Sequence, residues 1–172
     1  MILPDSGERR KFASGAVRDI AQGKGRCDLL PLDVLGEWTG DNILLHIDRF
    51  LYTGNTGCLK DAMEVFIESE YGEDTYTAIL EVAKHFEDGA IKYGDNNWRK
   101  GIDLHCYIDS AVRHYLKHQR GDKDEPHDRA FLWNILCAIW THEHHPGLRD
   151  IPAYYTKKES NIDESNACAS NT

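Results

Sequence analysis

The fold of this chain is decided by an apolar stretch near its carboxyl end. Residues 131–140 read FLWNILCAIW, and Asn134 is the only strongly polar side chain among them. A helix that is apolar on nearly every face is buried on nearly every face, so we expect this one at the centre of the protein. Its pattern extends from about Pro126 to about His142. Asn134 must then find hydrogen-bond partners inside the protein.

Four further helical stretches are predicted from apolar residues spaced three and four apart. They cover residues 32–50, with an interruption near Gly40, and about 59–70, 74–93 and 103–119. The segment from residue 1 to 31 is predicted to form a short helical turn followed by an ordered loop. No run alternates convincingly with the period of two that a strand requires. The sequence therefore predicts an all-α bundle of about five helices.

The length of the chain predicts one domain with a substantial core. Its 172 residues are 41% hydrophobic and 28% charged, a balance typical of globular proteins. The end of the chain reads TKKESNIDESNACASNT and offers almost nothing that a core could bury. We therefore expect a single domain over residues 1–155 and a disordered polar tail over residues 156–172.

Charge and cysteine content argue against several classes of function. A formal net charge of -9 repels the phosphates of nucleic acids, so a nucleic acid polymer is not an expected partner. The five cysteines are far apart and form no CxxC pair, which favours a reducing cytoplasm over a disulfide framework. No apolar run reaches a membrane-spanning length, so no membrane association is expected.

Two carboxylates are expected at the edges of buried helix faces. Glu87 borders the face predicted to be buried in the helix over residues 74–93, which carries Ile79, Val82, Ala83, Phe86, Ala90 and Tyr93. The opposite, polar face of that helix carries Glu81, His85, Asp88 and Lys92. Asp109 borders the apolar face of the next helix, one turn before Arg113.

Each of these carboxylates has two interpretations. An ionised carboxylate beside a core is costly unless it meets a cation. A basic side chain meets that need, and Arg113 stands at the i,i+4 spacing from Asp109. A hard cation such as Mg²⁺ also meets it, if Glu87 and Asp109 converge from adjacent helices. Taken alone, Glu87 is better explained as a side chain at the core margin that reaches water or pairs with Arg or Lys, and Asp109 as the partner of Arg113. The two together are more informative, because they could hold a metal ion.

Polar residues near the last helix are candidates for orienting such a site. His127 and Asn134 lie two turns apart on one helical stripe. They either tie helices together or orient a metal-bound carboxylate or a substrate group. His114 is a further candidate, and so are the members of the acidic turn before the last helix, although a charged turn is usually just solvated: Asp122, Asp124 and Glu125.

A small basic cluster in an acidic chain is a candidate for binding phosphate. The loop GKGR, residues 23–26, supplies Lys24 and Arg26, and Arg18 precedes it. Glycines allow backbone amides to approach an anion, and the basic side chains neutralise it. The loop lacks the GxxxxGK[ST] pattern of a phosphate-binding P-loop, so it is weak evidence when taken alone.

A second loop is a candidate for binding a nucleobase. It reads KYGDNNWRKG over residues 92–101, in which Tyr93 and Trp98 offer flat faces and Asn96 and Asn97 offer amides that read the edge of a base. A turn with a packed tryptophan explains the same residues equally well.

Four segments, taken in order, resemble the dATP/dGTP diphosphohydrolase family, which is found mostly in bacteriophages and is related to the MazG-like all-α nucleotide pyrophosphohydrolases. They read SGAVRDIAQGKGRCDLLP, HFEDGAIKYGDNNWRKG, YIDSAVRH and GDKDEPHDRAFLWN, and the likeness extends over about residues 12–145. The resemblance implies a MazG-like fold, usually oligomeric, with Mg²⁺ or Mn²⁺ held by carboxylates. It also implies hydrolysis of a purine deoxynucleoside triphosphate to the monophosphate and pyrophosphate, in the host cytoplasm if a phage encodes the chain.

One departure affects the choice of metal ligands. MazG-like enzymes usually carry ExxE on one helix and ExxD on the next, but here the nearby ExxE, Glu70 to Glu73, falls at a helix break and no ExxD follows it. The ligands therefore cannot be taken from that motif. We instead predict Glu87 and Asp109 as ligands, and the remaining candidates as ligands or orienting groups: Asp124, His127 and His114.

These assignments give a hypothesis for the mechanism. The metal bridges the phosphates and lowers the pKa of a bound water, and Glu87 helps to deprotonate that water. The water attacks the α-phosphorus and pyrophosphate leaves. Developing charge is offset by four basic residues: Arg18, Lys24, Arg26 and Arg113. Tyr93, Asn97 and Trp98 contact the base, and Asn134 contacts the substrate or orients a group that does.

Two other functions are compatible with the sequence. The pair His127–Asp128 and a total of nine histidines suggest an HD-type phosphohydrolase, which would release tripolyphosphate rather than pyrophosphate from a deoxynucleoside triphosphate. A non-catalytic helical module that binds another protein is the second alternative. Such a module would not be stabilised by a divalent metal and a deoxynucleotide.

Overall fold

Six α-helices make up most of the part of the chain that the computed structural model describes, residues 7–72 and 74–154. They are α1 (Leu32–Thr39), α2 (Asn42–Thr53), α3 (Thr56–Tyr71), α4 (Thr75–Tyr93), α5 (Leu104–Arg120) and α6 (His127–His144). Three short 3-10 turns lie between or after them, at Cys27–Leu29, Asn97–Lys100 and Pro146–Leu148. The predicted all-α class is confirmed, with the stretch over residues 32–50 divided into two helices. The expected tail over residues 156–172 lies outside the described residues.

α6 lies at the centre of the bundle, as its sequence predicts. From Phe131 to Ile139 its side chains are buried except for Trp133 and Leu136. It packs against α3, α4 and α5, which together cover several of its sides. None of the helices in the described part of the chain is both long and apolar enough to span a membrane.

A glycine and an aspartate separate α1 from α2 at the predicted interruption. Gly40 takes the left-handed conformation (φ 71°), which glycine adopts without steric strain and which ends α1. Asp41 begins α2, because its side chain accepts hydrogen bonds from the amides of Ile43 (3.0 Å) and Leu44 (3.2 Å). The second oxygen of Asp41 accepts a hydrogen bond from the Tyr115 hydroxyl (2.5 Å), which ties this cap to α5.

A short antiparallel hairpin replaces the helical turn predicted near the amino end. Its strands are β1 (Arg9–Lys11) and β2 (Val17–Asp19), so the prediction of a helical turn was wrong. Strands of three residues are too short to display an alternation of period two. The buried side chain of Asn97 extends the edge of β2 by accepting a hydrogen bond from the Val17 amide (3.0 Å) and donating one to the Val17 carbonyl (2.9 Å).

α4 turns to the core a face that is rotated from the one predicted. Val82 is buried as predicted, and so is His85, whereas Ile79, which was expected in the core, is 56% exposed. α4 packs on α3 and α6, and the His85 ring lies against Trp133 of α6 at a centroid distance of 5.6 Å. Apolar residues occupy so much of the circumference of α4 that its pattern fits more than one face. The contacts with α6 decide between them.

This rotation changes the position of Glu87. The sequence places Glu87 at the margin of the core beside Ala83, but both side chains are exposed. His85, assigned to the polar face from the sequence, takes the inward position instead. The predicted position of Glu87 at the core margin is therefore wrong, and the interpretation in which its carboxylate reaches water is supported. An exposed carboxylate needs no buried cation to offset desolvation.

We expect Asn97→Ala to destabilise the protein. The substitution leaves the amide and carbonyl of Val17 without their side-chain partners, which costs about 1–3 kcal/mol of the free energy of unfolding. Urea denaturation measures this change. Asn96→Gly is a suitable control, because Asn96 is exposed and has the positive φ of 57° that glycine accepts. Equal stabilities for the two variants would contradict the proposed hairpin anchor.

Candidate active site

A cleft of about 570 Å³ opens between the hairpin, the carboxyl half of α4 and α5. The loop over residues 94–98 also lines it, and so do Trp133 and Asn134 of α6. This volume lies within the range of about 300–1,000 Å³ that is typical of small-molecule sites. The cleft is therefore the candidate active site.

Most of the predicted site residues line this cleft. Two predicted residues, Asp124 and His127, do not line the cleft. The predicted residues that line it are Arg18, Lys24, Arg26, Glu87, Tyr93, Asn97, Trp98, Asp109, Arg113, His114 and Asn134. Residues as far apart in the chain as Arg18 and Asn134 come into direct contact there. The fold thus brings the separate segments singled out in the sequence to one concave surface.

The guanidinium of Arg18 is held in the cleft by uncharged groups alone. It donates hydrogen bonds to the Asn134 side-chain oxygen (2.9 Å), the Ser110 hydroxyl (3.3 Å) and the Cys106 carbonyl (3.3 Å). No carboxylate in the described part of the chain lies within ion-pair distance of it. Arg18 therefore presents an uncompensated positive charge to the cleft, which favours the binding of an anion.

Asn134 fixes the position of Arg18. Its side-chain nitrogen donates to the carbonyl of Ala130 (2.7 Å), one turn earlier in α6, and its oxygen accepts from Arg18. The guanidinium also lies over the rings of Tyr107 (5.3 Å) and Trp133 (5.6 Å), where cation–π attraction holds it. Asn134 thus connects α6 to the hairpin, as one interpretation of the sequence predicted. Its partner in the hairpin, Arg18, is a predicted substrate-binding residue.

Asp109 and Arg113 hold the glycine loop against α5. Asp109 is only 4% exposed, and one of its oxygens accepts a hydrogen bond from the amide of Cys27 (2.7 Å). Its other oxygen pairs with Arg113, which also donates to the carbonyls of Lys24 (3.2 Å) and Gly25 (3.1 Å). Both carboxylate oxygens are therefore engaged with the protein. This arrangement supports the ion-pair interpretation of Asp109 over the metal-ligand interpretation.

The two basic side chains of the glycine loop differ in their surroundings. Arg26 forms a two-point ion pair with Asp28 (2.7 and 2.5 Å), which raises the pKa of the guanidinium and neutralises its charge locally. Lys24 is exposed and makes no ion pair with any described residue. Lys24 and Arg18 are therefore better placed than Arg26 to meet an anion in the cleft.

Histidines and a carboxylate cluster at the junction of α5 and α6. The Nδ1 atoms of His114 and His127 lie 3.0 Å apart. The Glu125 carboxylate lies 3.6 Å from the first of these atoms and 3.7 Å from the second. His114 and Glu125 line the cleft, and His127 lies behind them and is 2% exposed. These groups are close enough to share a divalent metal ion.

Burial and hydrogen bonds lower the pKa values of His114 and Asp124 at this junction. Burial lowers the pKa of His114 well below its usual value, and the neighbouring His127 lowers it further. Asp124 contacts the Nε2 atom of His127 (2.8 Å) and accepts a hydrogen bond from Lys117 (2.7 Å), and these contacts lower the pKa of its carboxyl. Asp124 is therefore placed to orient His127, a role that the sequence suggested for the acidic turn.

A second group of metal-binding side chains, at the start of α5, already contains a cation. Asp103, His105 and Cys106 lie close together. Arg10 donates to the Cys106 sulfur (3.3 Å) and lies 4.0 Å from Asp103. The hydrogen bond that the His105 ring donates to Asp150 raises the pKa of His105 to about 10, so the ring is positively charged at neutral pH. Two positive charges at this point disfavour a metal ion.

The predicted carboxylate ligands do not form such a group. Glu87 is exposed where it lines the cleft, and Asp109 is engaged by Arg113 and the loop. Within the described residues, neither belongs to a set of three acidic, histidine or cysteine side chains near enough to share one ion. The carboxylate pair thus lacks the convergence of oxygen ligands that Mg²⁺ requires.

His85 is a cleft residue that the sequence did not indicate. It is 8% exposed, and its Nδ1 atom has no hydrogen-bond partner among the described residues. Burial lowers the pKa of its ring to about 4, against an opposing effect of Asp88, so the ring is neutral at neutral pH. The Nδ1 atom is itself buried, but the residue lines the cleft, where a neutral imidazole can hydrogen bond to a ligand or to a water.

The loop proposed to bind a base is only partly available for that role. The Asn97 amide is used by the backbone of Val17, so it cannot also read the edge of a base. The Trp98 ring packs edge-on against Phe86 (5.4 Å) and Trp140 (5.0 Å), so the packed-tryptophan interpretation is also supported. Phe86, Trp98 and Tyr93 nevertheless line the cleft and give it an apolar, aromatic part.

The pair His127–Asp128 does not act as one metal-binding unit. Asp128 accepts a hydrogen bond from the hydroxyl of Tyr71 in α3 (2.7 Å), whereas His127 faces His114. Asp128 is also absent from the described groups of side chains that could share a metal. The geometry therefore gives little support to an HD-type site.

We expect His85 to make the stability of the protein depend on pH. Its pKa of about 4 in the folded state lies below the value of 6.5 expected in the unfolded chain, so the unfolded chain takes up a proton first as pH falls. Its contribution is complete above pH 6.5 and is lost between pH 6.5 and 4, by on the order of 3 kcal/mol.

Urea unfolding at pH 7, 6, 5 and 4 measures this effect. The wild-type protein should lose more stability over this range than His85→Asn, and as much as the control variant His144→Asn, which alters an exposed histidine of α6. Parallel pH profiles for the wild type and His85→Asn would rule out this contribution.

Comparison with known proteins agrees with the resemblance seen in the sequence. A family model described as dATP/dGTP diphosphohydrolase, N-terminal, matches residues 72–151, which include α4, α5 and α6. No curated protein matches the chain, and no solved structure does. The matched family is a family of hydrolases that act on small nucleotides. The match covers the helices that carry most of the cleft, and it supports the resemblance to the dATP/dGTP diphosphohydrolase family.

Proposed function

We propose that this chain hydrolyses a purine deoxynucleoside triphosphate to the monophosphate and pyrophosphate, with a divalent metal ion. The observation that carries the proposal is Arg18, a guanidinium without a carboxylate partner among the described residues, in the cleft that the family match largely covers. Such a charge needs an anion to offset it. A triphosphate is the anion that the family description supplies.

Two cations are available for the phosphates. Arg18 is held from behind by Asn134, so little conformational entropy is lost when its outer face meets a phosphate oxygen. Lys24 approaches from the glycine loop, whose position is fixed by Arg113 and Asp109. Both side chains would strengthen their contacts as negative charge develops on the leaving pyrophosphate.

A divalent metal fits the cluster at the α5–α6 junction better than it fits the predicted carboxylates. Asp109 has no free oxygen to offer, but His114, Glu125 and His127 bring three donor atoms together beside the cleft. Held by His114, Glu125 and His127, a divalent ion would supply Lewis-acid chemistry, which would activate a water and offset the charge of the phosphates. Mg²⁺ and Mn²⁺ are the ions that the family resemblance implies. Glu87 and Asp124 are then candidates for groups that act near the ion without being its ligands.

Hydrolysis breaks the bond between the α-phosphorus and the oxygen that bridges to the β-phosphate. Water supplies the new oxygen on the α-phosphorus, pyrophosphate takes the bridging oxygen, and one proton is released. The exposed carboxylate of Glu87 lines the cleft and can receive that proton. His85 also lines the cleft, where its neutral ring can orient the water or a phosphate.

The aromatic part of the cleft suits a purine. Phe86 and Trp98 line the cleft together with Tyr93, and a base gains stacking energy on such flat faces. Phe86 and Tyr93 belong to the carboxyl half of α4, whereas Arg18 belongs to β2. A nucleotide would then extend across the cleft, with the base against α4 and the phosphates against Arg18.

We also propose that the protein binds a small nucleotide as a homo-oligomer in the cytoplasm. A small nucleotide rather than a nucleic acid polymer fits both the cleft volume and the net charge of -9. Homo-oligomers in the cytoplasm are what the family resemblance implies. The exposed apolar residues of α4, Ile79, Leu80 and Ile91, offer surface that a second copy could cover.

We expect the purified protein to convert dATP or dGTP to the monophosphate and pyrophosphate when Mn²⁺ or Mg²⁺ is present. Chromatography of the products identifies the bond that is broken. Release of tripolyphosphate would support the HD-type alternative instead. If no nucleotide is consumed and no deoxynucleotide with metal raises the melting temperature, the non-catalytic alternative is correct.

We expect Arg18→Ala to lower kcat/KM by about 100-fold or more, because it removes the charge that meets the phosphates. Asn134→Ala should lower kcat/KM by about 10-fold, because Arg18 is retained but loses its anchor. The same variant should bind inorganic triphosphate, a probe of the phosphate contacts, more weakly than the wild type. Arg49→Ala, an exposed arginine of α2, is the matched control and should have little effect. Arg18→Ala with unchanged triphosphate affinity would exclude the assigned role.

A further inference from the structure

We infer that His114, Glu125 and His127 form a nitrogen-rich site for a late first-row metal ion, of the Mn²⁺, Co²⁺ and Zn²⁺ class, rather than a carboxylate site for Mg²⁺. The inference deepens the proposed function and rests on it for the use of the metal. The binding of the ion itself can be measured without any nucleotide.

The geometry of the three donor atoms carries this inference. The Nδ1 atoms of His114 and His127 are 3.0 Å apart, and the Glu125 carboxylate oxygen is 3.6 and 3.7 Å from them. The point equidistant from these three atoms lies about 2.0 Å from each, which matches the metal–nitrogen and metal–oxygen distances of zinc sites. A cation could therefore bind at this point with very little movement of the side chains.

One histidine is already oriented as a ligand. The Nε2 atom of His127 lies 2.8 Å from a carboxylate oxygen of Asp124, which only a protonated ring nitrogen satisfies. In the neutral ring, Nδ1 then carries the lone pair, and it faces the other two donors. Lys117 pairs with the second oxygen of Asp124 (2.7 Å) and holds it in place. A carboxylate that orients a metal-binding histidine in this way is a common feature of metal sites.

The chain connectivity favours a preformed site with one open side. His114 lies in α5, His127 begins α6, and Glu125 lies in the short connection between the two helices. All three ligands thus come from one helical hairpin, so little additional ordering is needed to bring them together. His127 is buried, whereas His114 and Glu125 face the cleft, which leaves coordination positions open towards a substrate or water.

The donor set determines which ions are preferred. Two imidazole nitrogens and one carboxylate suit Mn²⁺, Co²⁺ and Zn²⁺, and Mn²⁺ is expected to bind more weakly than Co²⁺. Mg²⁺ strongly prefers oxygen ligands and retains its waters, so it should bind this site weakly. A neighbouring oxygen-rich alternative, in which Asp122 and Asp124 join His127, is less suitable because Asp122 is already paired with Arg120 and Asp124 with Lys117.

The experiment titrates the full-length chain, freed of metal with a chelator, with Co²⁺ alone. We expect one ion per chain, with visible absorption bands that report nitrogen coordination, and competition by Zn²⁺ but not by equal Mg²⁺. His114→Ala and Glu125→Gln should each weaken Co²⁺ binding by at least about 100-fold. His144→Ala, which removes an exposed histidine of α6, should bind Co²⁺ as the wild type does.

The outcomes separate the site from the proposed function. The melting temperature without metal identifies any variant that fails to fold, and Glu125→Gln keeps the size of the side chain in case His114→Ala unfolds. Co²⁺ affinity that is equal in the wild type and Glu125→Gln would overturn the site, even if the protein hydrolyses dATP or dGTP with Mg²⁺. Tight Co²⁺ binding that Glu125→Gln abolishes, without hydrolysis of any nucleotide, would support the site and overturn the proposed function.

Discussion

The packing of α5 against α6 determines where the candidate groups of these two helices lie. α6 is buried on most of its surface, and α5 covers it with a face that also carries Asp109, Arg113 and His114. The contact leaves the polar groups of both helices beside the same cleft. Asn134, buried within α6, can satisfy its oxygen only with a donor from outside its helix, and the arginine of the hairpin supplies that donor. Because a buried amide oxygen without a hydrogen bond is costly, Asn134 holds the Arg18 guanidinium in position.

Much of this arrangement could be predicted from the sequence because it follows from local pattern. The apolar stretch of α6, the break at Gly40 and the glycine loop are visible within a few residues of chain. The resemblance of four ordered segments then indicated which loops belong together. Arg18 and Asn134 were both singled out as substrate-binding residues, although only the folded chain reveals that they are hydrogen bonded to each other.

The features that were missed depend on contacts between distant elements. α4 has apolar residues on more than one face, and α6 selects the face that includes His85 and excludes Glu87. β2 is too short to give a strand pattern, and the side chain that completes its edge comes from 80 residues later in the chain. Glu125 was seen as part of an acidic turn that is usually solvated. Only the meeting of the two helix ends places it beside two histidines.

α5 holds the glycine loop through backbone atoms of the loop. Arg113 binds the carbonyls of residues 24 and 25, and Asp109 binds the amide of residue 27. Any side chain at position 24 leaves these contacts intact. Exchange of Lys24 for a neutral or longer residue should therefore retune which charged ligands the protein accepts while the scaffold around the loop keeps its shape. Selectivity at this edge of the cleft can evolve, or be engineered, independently of folding.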